Sequence, residues 1–151
     1  MKIFEKIESI DDVQYAKKYD FVLVDDSHNE VLMFDMILMR SERKYTCAWI
    51  SDSALVMQMV KNGNFPETKL LLLDIRMPIY DGLECLEAMK KCSVKSRIPI
   101  VMLSSSDHDK DITMAYAQHC NGYIVKSSSM LDFRKNILTT LEYWIEINTT
   151  N

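Results

Sequence analysis

A doubly wound α/β domain built on a parallel sheet is the fold this sequence predicts, from three observations. Short apolar runs alternate with longer stretches of helical periodicity. The runs, such as FVLV in 21–24, LLLL in 70–73 and IVML in 100–103, are continuously apolar, so both sheet faces are to be covered. A helical stretch follows each run, and parallel strands need such crossovers.

The elements follow in order. YDFVLVDD (19–26) holds the first strand, and NEVLMFDMILMR (29–40) the first helix, with Val31, Phe34, Ile37 and Leu38 at helical spacing. TCAWIS (46–51) is the second strand, and SALVMQMVKNG (53–63) a helix ending in glycine. KLLLLD (69–74) is the third strand, and GLECLEAMKK (82–91) the third helix, with Leu83, Leu86 and Met89 on one face. IPIVMLS (98–104), DKDITMAYAQHC (109–120) and GYIVK (122–126) give strand, helix and strand. From Ser129, apolar residues recur at helical intervals to Ile145. Five units of this kind predict a five-stranded sheet in the flavodoxin-like order 2-1-3-4-5, with helices on both faces. Residues 20–147 make up this domain, and 148–151 are a tail. Residues 1–19 lie outside the pattern. Ile3, Ile7 and Ile10 are spaced as on a helix, so this extension is expected to be a short helix packed on the domain or an arm for a partner.

A chain of 151 residues suits one domain. Hydrophobic residues at 48% and charged residues at 26% fit an ordinary soluble globule. A net charge of -4 argues against a nucleic-acid binder. No apolar stretch is long enough for a membrane span, and MKIFEKIESIDDVQ is too polar for a secretory signal. Cys47, Cys85, Cys92 and Cys120 form no CxxC pair and read as free thiols of a reducing compartment, so a cytoplasmic location is expected.

In an open parallel sheet, ligands bind outside the carboxyl ends of the strands. Asp25 and Asp26 end the first predicted strand, Asp74 the third, Ser104-Ser105-Ser106 the fourth and Lys126 the fifth. Each has an ordinary explanation alone. Asp25 and Asp26 can cap a helix or make an Asx turn, Ser104 to Ser106 can cap the fourth helix, and Lys126 can pair with one aspartate. Together they make a site. Clustered carboxylates raise one another's pKa unless a cation intervenes, and all-oxygen ligands suit Mg2+ better than zinc. A rigidly held carboxylate beside such an ion can become an aspartyl phosphate, which Lys126 and the Ser104 hydroxyl can contact.

These pieces resemble the response-regulator receiver domains of bacterial two-component signalling. The matching segments are VDD at 24–26, LLDIRMPIYDGLE at 72–84, PIVMLS at 99–104 and NGYIVK at 121–126. The resemblance implies that Asp74 is the phosphoacceptor and that Asp25 and Asp26 are the acidic pair holding Mg2+, with the Arg76 backbone carbonyl as a further ligand. It implies that Ser104 is the switch hydroxyl, Tyr123 the aromatic switch and Lys126 the phosphate-contacting lysine. The phosphoryl donor would be a sensor histidine kinase or a histidine phosphotransfer protein. A downstream protein would read the face made by helix 4, strand 5 and helix 5, with no nucleic acid or membrane bound directly. A homodimer through that face is open, and no residue pattern specifies it. The ending NILTTLEYWIEIN resembles single-domain regulators with a late YW pair, several of which partner phytochrome-like or other histidine kinases.

The chain departs from the family pattern in three places. Ser127 stands where proline, typically with a cis bond, follows the lysine. Arg76 and Ser106 occupy the positions that, by the resemblance, tune phosphate loss. Residues 1–19 have no family counterpart. Three other readings compete. A receiver-like interaction module that takes no phosphate has Ser127 in its favour. A flavodoxin-type enzyme would need a glycine- or hydroxyl-rich phosphate loop where DDSHNE stands, and a phosphohydrolase would need an acid where Arg76 stands.

Overall fold

The computed structural model describes residues 3–13, 17–93 and 95–149. Parts of the expected extension 1–19 and tail 148–151 lie outside the described residues. In chain order the elements are β1 (Phe4–Lys6), a 3₁₀ turn (Ile10–Asp12), β2 (Lys18–Tyr19), β3 (Phe21–Val24), α1 (His28–Met39), β4 (Cys47–Ile50), α2 (Ser53–Asn62) and β5 (Glu67–Thr68). They continue with β6 (Leu71–Asp74), α3 (Gly82–Lys91), β7 (Ile100–Ser104), α4 (Asp109–Ala117), β8 (Gly122–Val125) and α5 (Met130–Leu141). The last helix runs on as a π-helical segment, Glu142–Ile147.

The main sheet is all parallel, in the order β1-β4-β3-β6-β7-β8. Its last five members are the expected strands in the expected order. The sixth corrects the strand count. Phe4–Lys6 pairs with Cys47–Trp49 at the edge of β4, where a helix was expected. The segment is too short for periodicity to decide its state, whereas its contacts do. Phe4 packs edge-on against Phe21 and Phe34, with centroids 5.7 and 6.2 Å away. Glu5 accepts a hydrogen bond from Tyr19 Oη at 2.7 Å. The Ile7 amide continues the pairing by donating to Trp49 O at 2.9 Å. β2 and β5 form a separate two-stranded parallel pair.

Each strand of the inner sheet supplies both cores, because successive side chains point to opposite faces. Val22, Val24, Leu71, Leu73, Ile100 and Met102 face α2, α3 and α4. Phe21, Leu23, Leu70, Leu72, Val101 and Leu103 face α1 and α5. This two-sided burial is why the runs are unbroken in the sequence. Met33, Met36 and Met39 also lie at helical spacing on α1, but only Met33 packs against the core, and Met36 and Met39 are exposed.

The helix ends have local causes. Asp81 and Glu84 form a capping box at the start of α3. Gly63, with φ 72°, closes α2 in the left-handed region, as a glycine C-cap should. α4 stops earlier than expected, and His119 takes φ 68°. Among the described residues no helix is long and apolar enough to cross a membrane.

Gly82 joins the fold to the site. Its amide donates to Ile75 O at 2.8 Å, seating α3 against the end of β6. A Cβ there would collide with the Asp74 carbonyl oxygen and lie 2.7 Å from Ile75 Cα, both rigid backbone. Gly82→Ala is therefore expected to destabilise the fold by about 3 kcal/mol, measured by urea denaturation.

Candidate functional site

Parallel pairing brings the carboxyl ends of β3, β6, β7 and β8 to one edge. Asp74 lies in register with Leu103, and Ser104 with Val125. The chain leaving β3 carries Asp25 and Asp26, and the chain leaving β8 carries Lys126. One carboxylate oxygen from each of Asp25, Asp26 and Asp74 lies within 4.8 Å of the others. Asp25 and Asp74 are buried and Asp26 is exposed, so the cluster is open to solvent on one side.

Lys126 closes the cluster from β8. Its Nζ lies 3.3 Å from Asp74 Oδ1, 3.4 Å from Asp25 Oδ2 and 3.6 Å from Glu30 Oε1. Three carboxylates thus share one ammonium, and Asp26 adds a fourth negative group to the cluster. Burial pushes the Asp74 carboxyl up from 3.8 to about 6, and the charge of Asp25 adds to this, with Lys126 only partly offsetting them. Burial likewise raises Asp25, against the pull of Lys126. For Lys126, burial acts to lower the pKa, but Asp25 and Asp74 outweigh it and hold the ammonium above its ordinary value. Surplus negative charge on an all-oxygen donor set, with no thiolate or imidazole in it, fits a hard divalent cation.

The backbone around the cluster is fixed by residues whose part the sequence did not reveal. Trp49 Nε1 donates to the Asp25 carbonyl at 2.7 Å in a buried position. Asp25 Oδ1 accepts from the Ser27 amide at 2.9 Å, so Asp25 makes an Asx turn as well as joining the cluster. Ser27 then caps α1 by accepting from Glu30 N. Ser53, buried at the start of α2, donates to Pro78 O at 2.8 Å and accepts from the Tyr80 amide at 3.2 Å. That contact pins the β6–α3 loop, where Tyr80 N also reaches Pro78 O across Ile79 at φ 71°. A β-branched residue in that region is strained and must be held there by its surroundings.

The hydroxyl side of the site is a chain of hydrogen bonds. Ser104 Oγ accepts from the Ser106 amide at 3.1 Å. Tyr123 Oη donates to the Ser106 carbonyl at 2.8 Å, so Tyr123 and Ser104 meet through Ser106. Ser106 Oγ donates to Asp111 Oδ2 at 2.6 Å and accepts from His108 N at 3.3 Å. It does not cap α4, whose N-cap, His108, makes no side-chain capping bond. Arg76 sends its guanidinium to Asp111, 2.8 Å away. No cis peptide bond occurs among the described residues, and Lys126 reaches both buried carboxylates with serine following it.

The family model described as "Response regulator receiver domain" matches residues 21–138. The chain belongs to the response-regulator receiver family. The relative "Response regulator Rcp1" from Synechocystis sp. is 30% identical over 132 residues, covering 85% of this chain and 90% of that protein. "Probable methanogenesis regulatory protein FilR2" from Methanothrix harundinacea is 26% identical over 145 residues, 94% of each chain. Among solved structures, the phosphorylated cyanobacterial phytochrome response regulator RcpA superposes with a TM-score of 0.78 at 28% identity, covering 89% of this chain and 97% of that one. The Mn(2+)-bound form of Rcp1 superposes at 0.77, also at 28% identity, covering 87% and 97%.

As a receiver, the protein is a component of two-component signalling. Receivers interact with histidine kinases or phosphotransfer proteins and with downstream targets, and they are not classical enzymes. In this receiver the metal-free cluster holds a buried carboxyl, Asp74, whose pKa burial raises to about 6. A carboxyl with a raised folded pKa destabilises the folded state above that pKa, and the penalty vanishes once both states are protonated. Asp74→Asn is thus expected to stabilise the metal-free protein by about 1–3 kcal/mol at pH 7. The gain should shrink as pH falls from about 6 and be gone below about 4, as read by thermal unfolding across that range in EDTA.

Proposed function

We propose that this receiver is a single-domain response regulator that accepts a phosphoryl group on Asp74 from a histidine kinase or histidine phosphotransfer protein. The observation that carries this reading is the buried Asp74 carboxylate, at the end of β6, grouped with Asp25 and Asp26 within 4.8 Å and paired with Lys126 at 3.3 Å. A carboxylate oxygen of Asp74 attacks phosphorus as the phosphorus–nitrogen bond to the donor imidazole breaks, and the leaving imidazole takes up a proton. Asp25, Asp26, Asp74 and the Arg76 carbonyl would hold Mg2+, which when bound neutralises the carboxylates and the phosphoryl oxygens.

The rest of the switch lies on the protein's own residues. Lys126 pairs with a phosphoryl oxygen, and Ser104 gives up its contact with Ser106 N to donate to another. Tyr123 is bonded to Ser106, so a shift of that segment is passed to β8. The reading assigns output to the α4-β8-α5 face, where Met114, Tyr116, Val125, Met130 and Leu131 are exposed for a downstream protein or a second copy. In this reading the protein works in the cytoplasm on a protein target, without binding nucleic acid or membrane itself.

Intact mass spectrometry after acetyl phosphate treatment tests this, with and without Mg2+, on the natural protein and on Asp74→Asn. One phosphoryl adduct that requires both Mg2+ and Asp74 is expected. A natural protein that stays folded, takes no adduct and binds no beryllofluoride would instead be an interaction module that works unphosphorylated.

A further inference from the structure

We propose that Asp111 is a positioning residue that holds the Arg76 guanidinium in reserve and competes for it with a phosphoryl group on Asp74. The proposal rests on the reading of Asp74 as phosphoacceptor. It adds a residue that neither the motifs nor the strand-end pattern singles out.

Two loops meet at this contact. Arg76 lies two residues beyond Asp74, so their Cα atoms are within about 7 Å of each other, inside the reach of an arginine side chain. Asp111 lies in the first turn of α4, which follows β7. A single oxygen, Asp111 Oδ2, accepts from Arg76 Nη2 at 2.8 Å and from Ser106 Oγ at 2.6 Å. Ser106 is in turn bonded to Ser104 through its amide and to Tyr123 through its carbonyl. One carboxylate therefore ties the residue beside the acceptor to the hydroxyl and the ring on the far side of the site. The β7–α4 loop is held by this contact where a side-chain cap is lacking.

The bridge is built to break. The Arg76 side chain is 64% exposed, and an ion pair with one partner in water is weak and screened by salt. A phosphoryl group carries close to two negative charges and three acceptor oxygens, which the guanidinium fork can grip bidentately. Transfer of Arg76 to the phosphoryl group would leave Asp111 with Ser106 alone. The same event would loosen the loop that Ser104 must leave. In the resting state Asp111 thus lowers the affinity of the site for a phosphoryl-like anion, and it acts only through Arg76.

A double-mutant cycle over Asp111→Asn and Arg76→Ala tests this, since asparagine keeps an acceptor for Ser106 and loses the charge. Beryllofluoride affinity is measured by calorimetry in Mg2+, and phosphoryl lifetime by intact mass spectrometry after acetyl phosphate is removed. Asp111→Asn is expected to tighten beryllofluoride binding about two- to five-fold and to lengthen the lifetime by a similar factor, the scale of an exposed ion pair. In the Arg76→Ala background, Asp111→Asn should change neither. Unchanged or weaker binding in Asp111→Asn overturns the proposal. So does an equal gain without Arg76, which would mean that Asp111 simply repels the anion. A natural protein that binds no beryllofluoride and takes no phosphoryl group overturns the reading of Asp74 as well, whereas binding with no effect of Asp111→Asn overturns the positioning role alone.

Discussion

The ammonium of Lys126 is the constraint on which the site depends. Three carboxylates at the rim of an apolar sheet would repel each other, and the two buried ones, Asp25 and Asp74, bear a desolvation cost as well. Lys126 reaches Asp25 and Asp74, and Glu30 beside them, from the far edge of the inner sheet. It does so because β8 runs parallel to β7 and stops in register with Ser104. One ammonium leaves a surplus of negative charge among these carboxylates, and burial together with the charge of Asp25 keeps the Asp74 carboxyl raised despite Lys126. The site is therefore held together and short of positive charge at once, which is the condition for recruiting a divalent cation.

Rigidity comes from a ring of ordinary contacts behind the carboxylates. Trp49 on β4 fixes the Asp25 carbonyl, Ser53 on α2 fixes the loop after β6, and Gly82 allows α3 to close on the Asp74 backbone. None of these groups belongs to the acid cluster. Each brings a different element to the same strand end, so core packing and site geometry are one problem. The strained turn at Ile79 lies between Pro78 and Tyr80, the two residues that Ser53 holds.

The hydroxyl side has the opposite character. Ser104, Ser106, Tyr123, Asp111 and Arg76 are linked one to the next by hydrogen bonds, with Asp111 Oδ2 taking two of them. In the proposed function, the packed acid side is where the charge change would arise and the hydrogen-bonded hydroxyl side is what it would act on. That division matches a module for signalling between proteins better than one for turning over a substrate.

Much of this was legible in the sequence. Unbroken apolar runs called for strands covered on both faces, and the helical stretch after each run made the sheet parallel, since parallel strands need such crossovers. The polar residues closing those runs marked out the candidate site, because a parallel sheet sends all its carboxyl ends to one edge. Phe4–Lys6 was not legible, since three residues carry no periodicity and the edge of β4 decides their state. Nor were Glu30, Trp49, Ser53 and Asp111, whose types are common on helices and strands and whose partners lie far away in the chain. The tertiary structure alone decided these, because a contact such as Lys126 with Asp25, 101 residues apart, exists only once the strands have been set side by side.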